Sequence, residues 1–152
     1  MFWSKIKYPN VAIGKTELVQ LMRACYLPNL IMDADYTAVD HHFIERLNKE
    51  YLAGLWRWGL KEWSPRWDCD DFALTYLMTA KKLYAKHPTE CESVAVGMIA
   101  YRAKVASNHA INFYITADRV IHFIEPQYVR NISNGEIEFS ETDWDSIKFI
   151  IC

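Results

Sequence analysis

Three residues of this chain have the side-chain types of a nucleophilic site: Cys69, His109 and Glu125. A thiolate attacks a carbonyl carbon, an imidazole takes the thiol proton, and a carboxylate orients the imidazole. Cys69 falls in the first turn of an expected helix. There the unpaired backbone N–H groups and the helix dipole favour the thiolate and offer candidate oxyanion donors. His109 opens one expected strand and Glu125 closes the next. A turn centred near Ala117 opposes residues 109 and 125; a half-residue shift pairs 109 with 126 and leaves Glu125 one step away. Taken singly, each residue has a plainer reading, because a cysteine on an apolar helix face is more often an inert core residue. Their order and context together favour catalysis.

The elements that must position these groups are legible in outline. Thr16 precedes the run Glu17 to Met22, a first helix that Pro28 limits. A second helix is expected from near Thr37, with Asp40 completing a capping box and Val39, Phe43, Ile44, Leu47 and Tyr51 as its apolar stripe. An aromatic-rich passage carrying Trp56, Trp58, Trp63 and Trp67 follows, with a loop marked by Pro65. Most of these rings are expected to anchor helices to the sheet, with Trp63 and Trp67 lining the substrate site. Asp68 then caps a third helix with Asp71 as reciprocal acid, and Phe72, Ala73, Tyr76, Leu77, Ala80, Leu83 and Tyr84 share its face up to Pro88. Beyond it the period changes to that of strands at 94–101, 110–116, 119–124, 137–139 and 147–151, with turns at 116–119 and Ser133-Asn134-Gly135. Helices first and an antiparallel sheet afterwards is an α+β layout.

Composition sets outer limits. The chain has 152 residues, 51% apolar and 24% charged, which suits one compact domain over residues 1–152. A net charge of −2 gives no reason to expect nucleic acid or an acidic membrane surface. No apolar run approaches membrane-spanning length and no signal-like segment opens the chain, so a cytoplasmic location is expected. Cys25, Cys69, Cys91 and Cys152 are scattered without a CxxC pair, which argues for four free thiols; Cys25, Cys91 and Cys152 read as bystanders. His41 and His42 are assigned to a solvated helix face.

The strings Trp67-Asp68-Cys69-Asp70-Asp71-Phe72-Ala73, His109-Ala110-Ile111-Asn112-Phe113 and Glu125-Pro126-Gln127 resemble the motifs of papain-like, transglutaminase-like cysteine protease domains, as at the C-terminus of Marasmius oreades agglutinin. The resemblance covers roughly the second half of the chain. It implies a papain-like cysteine-protease fold, with Cys69 as nucleophile, His109 as base and Glu125 as orienter. The expected enzyme is a cysteine peptidase or amidase working through a thioester acyl-enzyme on a protein or peptide substrate, as a monomer or small homo-oligomer. Transfer to an amine, as in a transglutaminase, remains open. So does a non-catalytic binding module that keeps the fold. No sugar-binding lectin module is present, so carbohydrate binding is not expected.

Asp70 and Asp71 beside Cys69 should oppose thiolate formation. A hard divalent cation would relieve that, and the resemblance implies calcium or manganese. Asp70, Asp71, Asn112 and Gln127 are the candidate ligands. The alternative is that Asp71 only caps its helix and Asp70 faces solvent. The acyl-transfer chemistry itself requires no cofactor.

Overall fold

The computed structural model describes residues 6–60, 62–104, 108–129 and 135–152. A short strand β1 (Ala12–Gly14) leads into α1 (Lys15–Leu21), followed by β2 (Asn29–Leu30) and β3 (Asp35–Thr37). Two long helices come next, α2 (His41–Trp58) and α3 (Cys69–Lys86). Strands β4 (Ser93–Val94), β5 (Val96–Tyr101), β6 (His109–Ile115) and β7 (Ile121–Ile124) follow. A 3-10 turn (Pro126–Tyr128), β8 (Glu136–Ile137), α4 (Glu141–Asp145) and β9 (Ile147–Ile151) complete the described elements.

The strands form two mixed sheets, one ordered β1-β3-β4 and the other β2-β9-β5-β6-β7-β8. β3–β4 and β2–β9 are parallel pairs, whereas the remaining pairs are antiparallel. The expected purely antiparallel sheet is therefore corrected. In each parallel pair one member has only two residues, too short for a period-2 pattern to show.

The second helix starts later than expected. Thr37 is buried in β3 opposite Val94, and Asp40 is itself the N-cap, accepting the Phe43 N–H at 2.9 Å. Sheet pairing overrides the helical pattern before Asp40. Gly59, at φ +71°, closes α2 in the left-handed conformation that costs glycine least. The α3 start matches expectation, with the Asp71 carboxylate accepting the Asp68 N–H at 3.2 Å.

β6 divides the core. Ile111, Phe113 and Ile115 join Ile13, Leu18 and Met22 on one side; Ala110 packs with Ala73 and Leu77 of α3, and Tyr114 with Tyr76, on the other. Each such large apolar side chain contributes roughly 1.5–3 kcal/mol on burial. Asn112, fully buried, donates from Nδ2 to the Ala73 and Gly97 carbonyls at 3.0 Å each, tying α3 to the sheet.

The β6–β7 turn falls where expected: the Thr116 N–H reaches the Val120 carbonyl and the Arg119 N–H reaches the Thr116 carbonyl, both at 3.0 Å. The expected turn at Ser133-Asn134-Gly135 has its first two residues outside the described ones. No described helix is long and apolar enough to cross a membrane.

Candidate functional site

Antiparallel pairing sets Asn112 opposite Ile124 and Ile115 opposite Ile121. Continued to the strand ends, that register places residue 125 opposite 111, which is neither expected register. Residues 109 and 111 share a face of a strand, so 109 and 125 are diagonal neighbours on that face. The His109 Nε2 and Glu125 Oε2 atoms lie 2.5 Å apart. Glu125 is only 4% exposed, and its other oxygen accepts the Gln127 N–H at 3.1 Å, capping the 3-10 turn. The acid is thus held from two sides. Tyr101, opposite His109 on β5, brings its ring centroid to 5.8 Å from the imidazole. Burial, reinforced by the nearby Asp143, Glu125 and Cys69 charges, pushes its hydroxyl up to about 12.

Cys69 is half-buried against Ala73, Leu77, Met98 and Ala110. Burial is the largest influence on its thiol and pushes it up, and the Asp68 and Asp70 charges add to that. Hydrogen bonds from the Ala110 and Asp70 backbone pull the other way and are outweighed. Desolvation therefore works against the thiolate that the helix terminus favours. The sulfur lies beside Ala110, one residue from His109. The imidazole meanwhile makes its hydrogen bond to Glu125.

The acids are arranged differently from expectation. Asp71 is turned back into the cap, and Asp68 takes its place as the second charge pressing on Cys69. The Asp70 carboxyl is raised because its protonated form donates a hydrogen bond to Asp68, with burial second. Replacing Asp70 by asparagine removes a negative charge from beside the sulfur, so the Cys69 thiol should titrate at lower pH. A thiolate absorbance titration of Asp70→Asn against the parent checks this; an unchanged or raised midpoint would refute it.

The ligand set Asp70, Asp71, Asn112 and Gln127 is not assembled. Asn112 is buried in the sheet, Asp71 caps α3, and Gln127 lines a separate groove. What does converge is Asp68, Cys69 and Asp70, whose donor atoms lie within 4.8 Å of one another. Two carboxylates suit a hard cation such as calcium or manganese; the thiol does not.

Trp67 packs edge-on to Phe72, with centroids 6.0 Å apart, and is held by paired backbone hydrogen bonds with Ser64. Trp56 and Trp58 are each more than half exposed, so the expected anchoring role is corrected for them. Trp63 stands on the surface and lines neither described groove. The sequence reading missed a cavity of about 290 Å³ lined by Leu52, Leu55, Trp56, Glu62, Phe72, Pro126 and Gln127. A signal for it existed, because Trp56 lies off the apolar stripe that runs from Phe43 through Leu47 to Tyr51.

No protein-family model matches the chain, and no curated protein matches it in sequence. Solved structures do. A PSL1a complex with E64 superposes with a TM-score of 0.69 and 19% identity over 93% of this chain. A Polyporus squamosus lectin bound to the human-type influenza-binding epitope Neu5Acα2-6Galβ1-4GlcNAc gives 0.66 and 19% over 99%. The chain spans about half of each, 51% and 55% of their lengths. These likenesses correct the expectations of an α+β papain-like protease fold and of kinship with the agglutinin's protease domain. They equally remove support for a cysteine peptidase or amidase and for a transglutaminase-like hydrolase. The architecture of this chain is one found within PSL1a and within the Polyporus squamosus lectin.

Proposed function

We propose that this chain is a ligand-binding module rather than a hydrolase, with its ligand in the groove between Trp56 and Gln127. The observation that carries this reading is the likeness of fold to PSL1a and to a Polyporus squamosus lectin, over nearly the whole of this chain. An exposed indole, a carboxylate at Glu62 and a carboxamide at Gln127 around an apolar floor suit a small ligand with both apolar and hydrogen-bonding faces. A saccharide has that character, and one neighbouring structure holds one. Titration with Neu5Acα2-6Galβ1-4GlcNAc should give a saturable tryptophan-fluorescence change. Trp56→Ala should weaken it roughly ten-fold, about 1.4 kcal/mol. No response from the parent chain would sink the saccharide assignment.

A second reading rests on the E64 complex of PSL1a. Here the ligand contacts Cys69, His109 and Glu125, and a cation at Asp68 and Asp70 makes the module metal-responsive. On this reading E64 binding survives Trp56→Ala, is lost in Cys69→Ala, and changes when calcium or manganese is exchanged for a chelator. The groove reading predicts none of those three results.

A further inference from the structure

α2 and α3 pack together through their buried faces. There the Tyr51 and Tyr76 rings meet edge-on at 5.1 Å, and the Tyr76 hydroxyl donates to Asn48 Oδ1 at 2.7 Å. Between the outer faces of the same two helices lies an open groove of about 620 Å³. Its α3 wall carries a stripe at four-residue spacing: Leu74, Met78, Lys82 and Lys86, apolar at its start and cationic at its end. From α2 come Glu50, Gly54, Arg57 and Trp58. Trp58, Leu74 and Met78 are all exposed. The groove shares no residue with the one beside Trp56.

We propose that this groove docks an acidic amphipathic helix of a partner protein. The stripe from Leu74 to Lys86 runs about 18 Å along α3, the length of roughly three helical turns. Two packed helices offer a third the ridges and grooves on which such a segment lies. Trp58, Leu74 and Met78 give the partner's apolar face its bed, and methionine adapts readily to the shape laid on it. Charge sets the sign of the rest. Arg57, Lys82 and Lys86 face Glu50 alone, in a chain whose net charge is −2. Among the described residues none of these three cations is ion-paired. Carboxylates flanking an apolar stripe complement them. Gly54 adds a notch. It lies inside α2, where glycine is unfavourable, and a Cβ there would meet only the Trp58 ring, at 4.0 Å. Its bare backbone relieves no clash within the chain; it leaves room in the groove.

Fluorescence anisotropy of a labelled synthetic helix tests this. The probe is an alanine-based peptide of about four turns, with leucines at i, i+4 and i+7 and glutamates beside them. The parent chain should bind it saturably, and more weakly as salt is raised. Lysine in place of each glutamate should weaken binding roughly ten-fold or more, and Lys82→Glu should weaken the acidic peptide roughly ten-fold. Gly54→Leu should abolish binding, because the new side chain fills the groove while favouring the helix. Its thermal midpoint, unchanged or raised, verifies the fold. No binding by the parent would overturn the proposal, as would equal affinity for the lysine peptide or binding retained in Gly54→Leu. Preference for phosphatidylserine vesicles over the peptide would give this face to a membrane. Self-association lost in Gly54→Leu would give it to a second copy. Either result overturns the acidic-helix assignment.

Discussion

Gly97→Ala is expected to destabilise the chain by about 3 kcal/mol, the upper end of what overpacking a core costs. A Cβ at that position would lie 2.4 Å from Cζ of Phe113 and 2.5 Å from the Ile151 carbonyl oxygen. Phe113 is fully buried, so its ring has little room to retreat. The Ile151 carbonyl belongs to β9, whose pairing with β5 would have to open. Movement of β5 also strains the bond from Asn112 to the Gly97 carbonyl, and with it the attachment of α3. The need is for close approach, since no left-handed backbone conformation is involved. Urea unfolding measures the effect, and a loss below about 1 kcal/mol would show that the two neighbours yield more easily than this packing implies.

Glu125→Ala should cost a similar amount, about 3 kcal/mol, because it leaves two hydrogen-bonding groups beside a buried side chain without their partner. The substitution removes the partner of His109 and the cap on the Gln127 N–H at one stroke. Glu125→Gln keeps an oxygen for one of those bonds and a similar shape, so its loss should be nearer 1 kcal/mol. The ordering is the sharper result: alanine well below glutamine, glutamine modestly below the parent. Equal losses for the two variants would mean that the charge, rather than the hydrogen-bond geometry, holds this corner of the sheet together.

How far the sequence reveals this structure depends on the reach of each signal. The α3 cap at Asp68 and Asp71, the apolar stripe from Phe72 to Tyr84 and the strand at 147–151 rest on interactions within a few residues, and these are legible. The His109–Glu125 contact was anticipated, yet from registers that the structure does not adopt. A hairpin's register depends on how many residues its turn consumes, and a shift of one or two leaves the local pattern almost unchanged. The two-residue strands β2 and β4 carry too little pattern to be seen. Their pairing is fixed by chain segments more than fifty residues away.

The state of Cys69 shows a different limit. Its position at a helix start is visible in the sequence, but its desolvation by Met98 and Ala110 is not. Asp68 and Asp71 share the α3 capping box, and the Asp68 charge also bears on the sulfur. Short strings such as Asp68-Cys69-Asp70-Asp71 fix caps and local faces, and similar local geometry serves different functions on different proteins. That is why a resemblance carried by three strings led to a peptidase, while comparison over nearly the whole chain leads to the fold of PSL1a and a Polyporus squamosus lectin. His41 is exposed, as its place on a solvated helix face implies. Its neighbours His122 and Glu136 come from strands far along the chain.

The central proposal, a binding module in which Cys69 is not used as a nucleophile, is tested most directly by the rate of alkylation at each cysteine. Limiting iodoacetamide near neutral pH, followed by peptide mass spectrometry, should label exposed Cys25 first and Cys69 no faster. Buried Cys152, pushed up to about 12, should lag behind both. His109→Ala should leave the Cys69 rate unchanged. Labelling of Cys69 roughly ten-fold ahead of Cys25, and slowed by His109→Ala, would contradict the account and give the thiol back to catalysis.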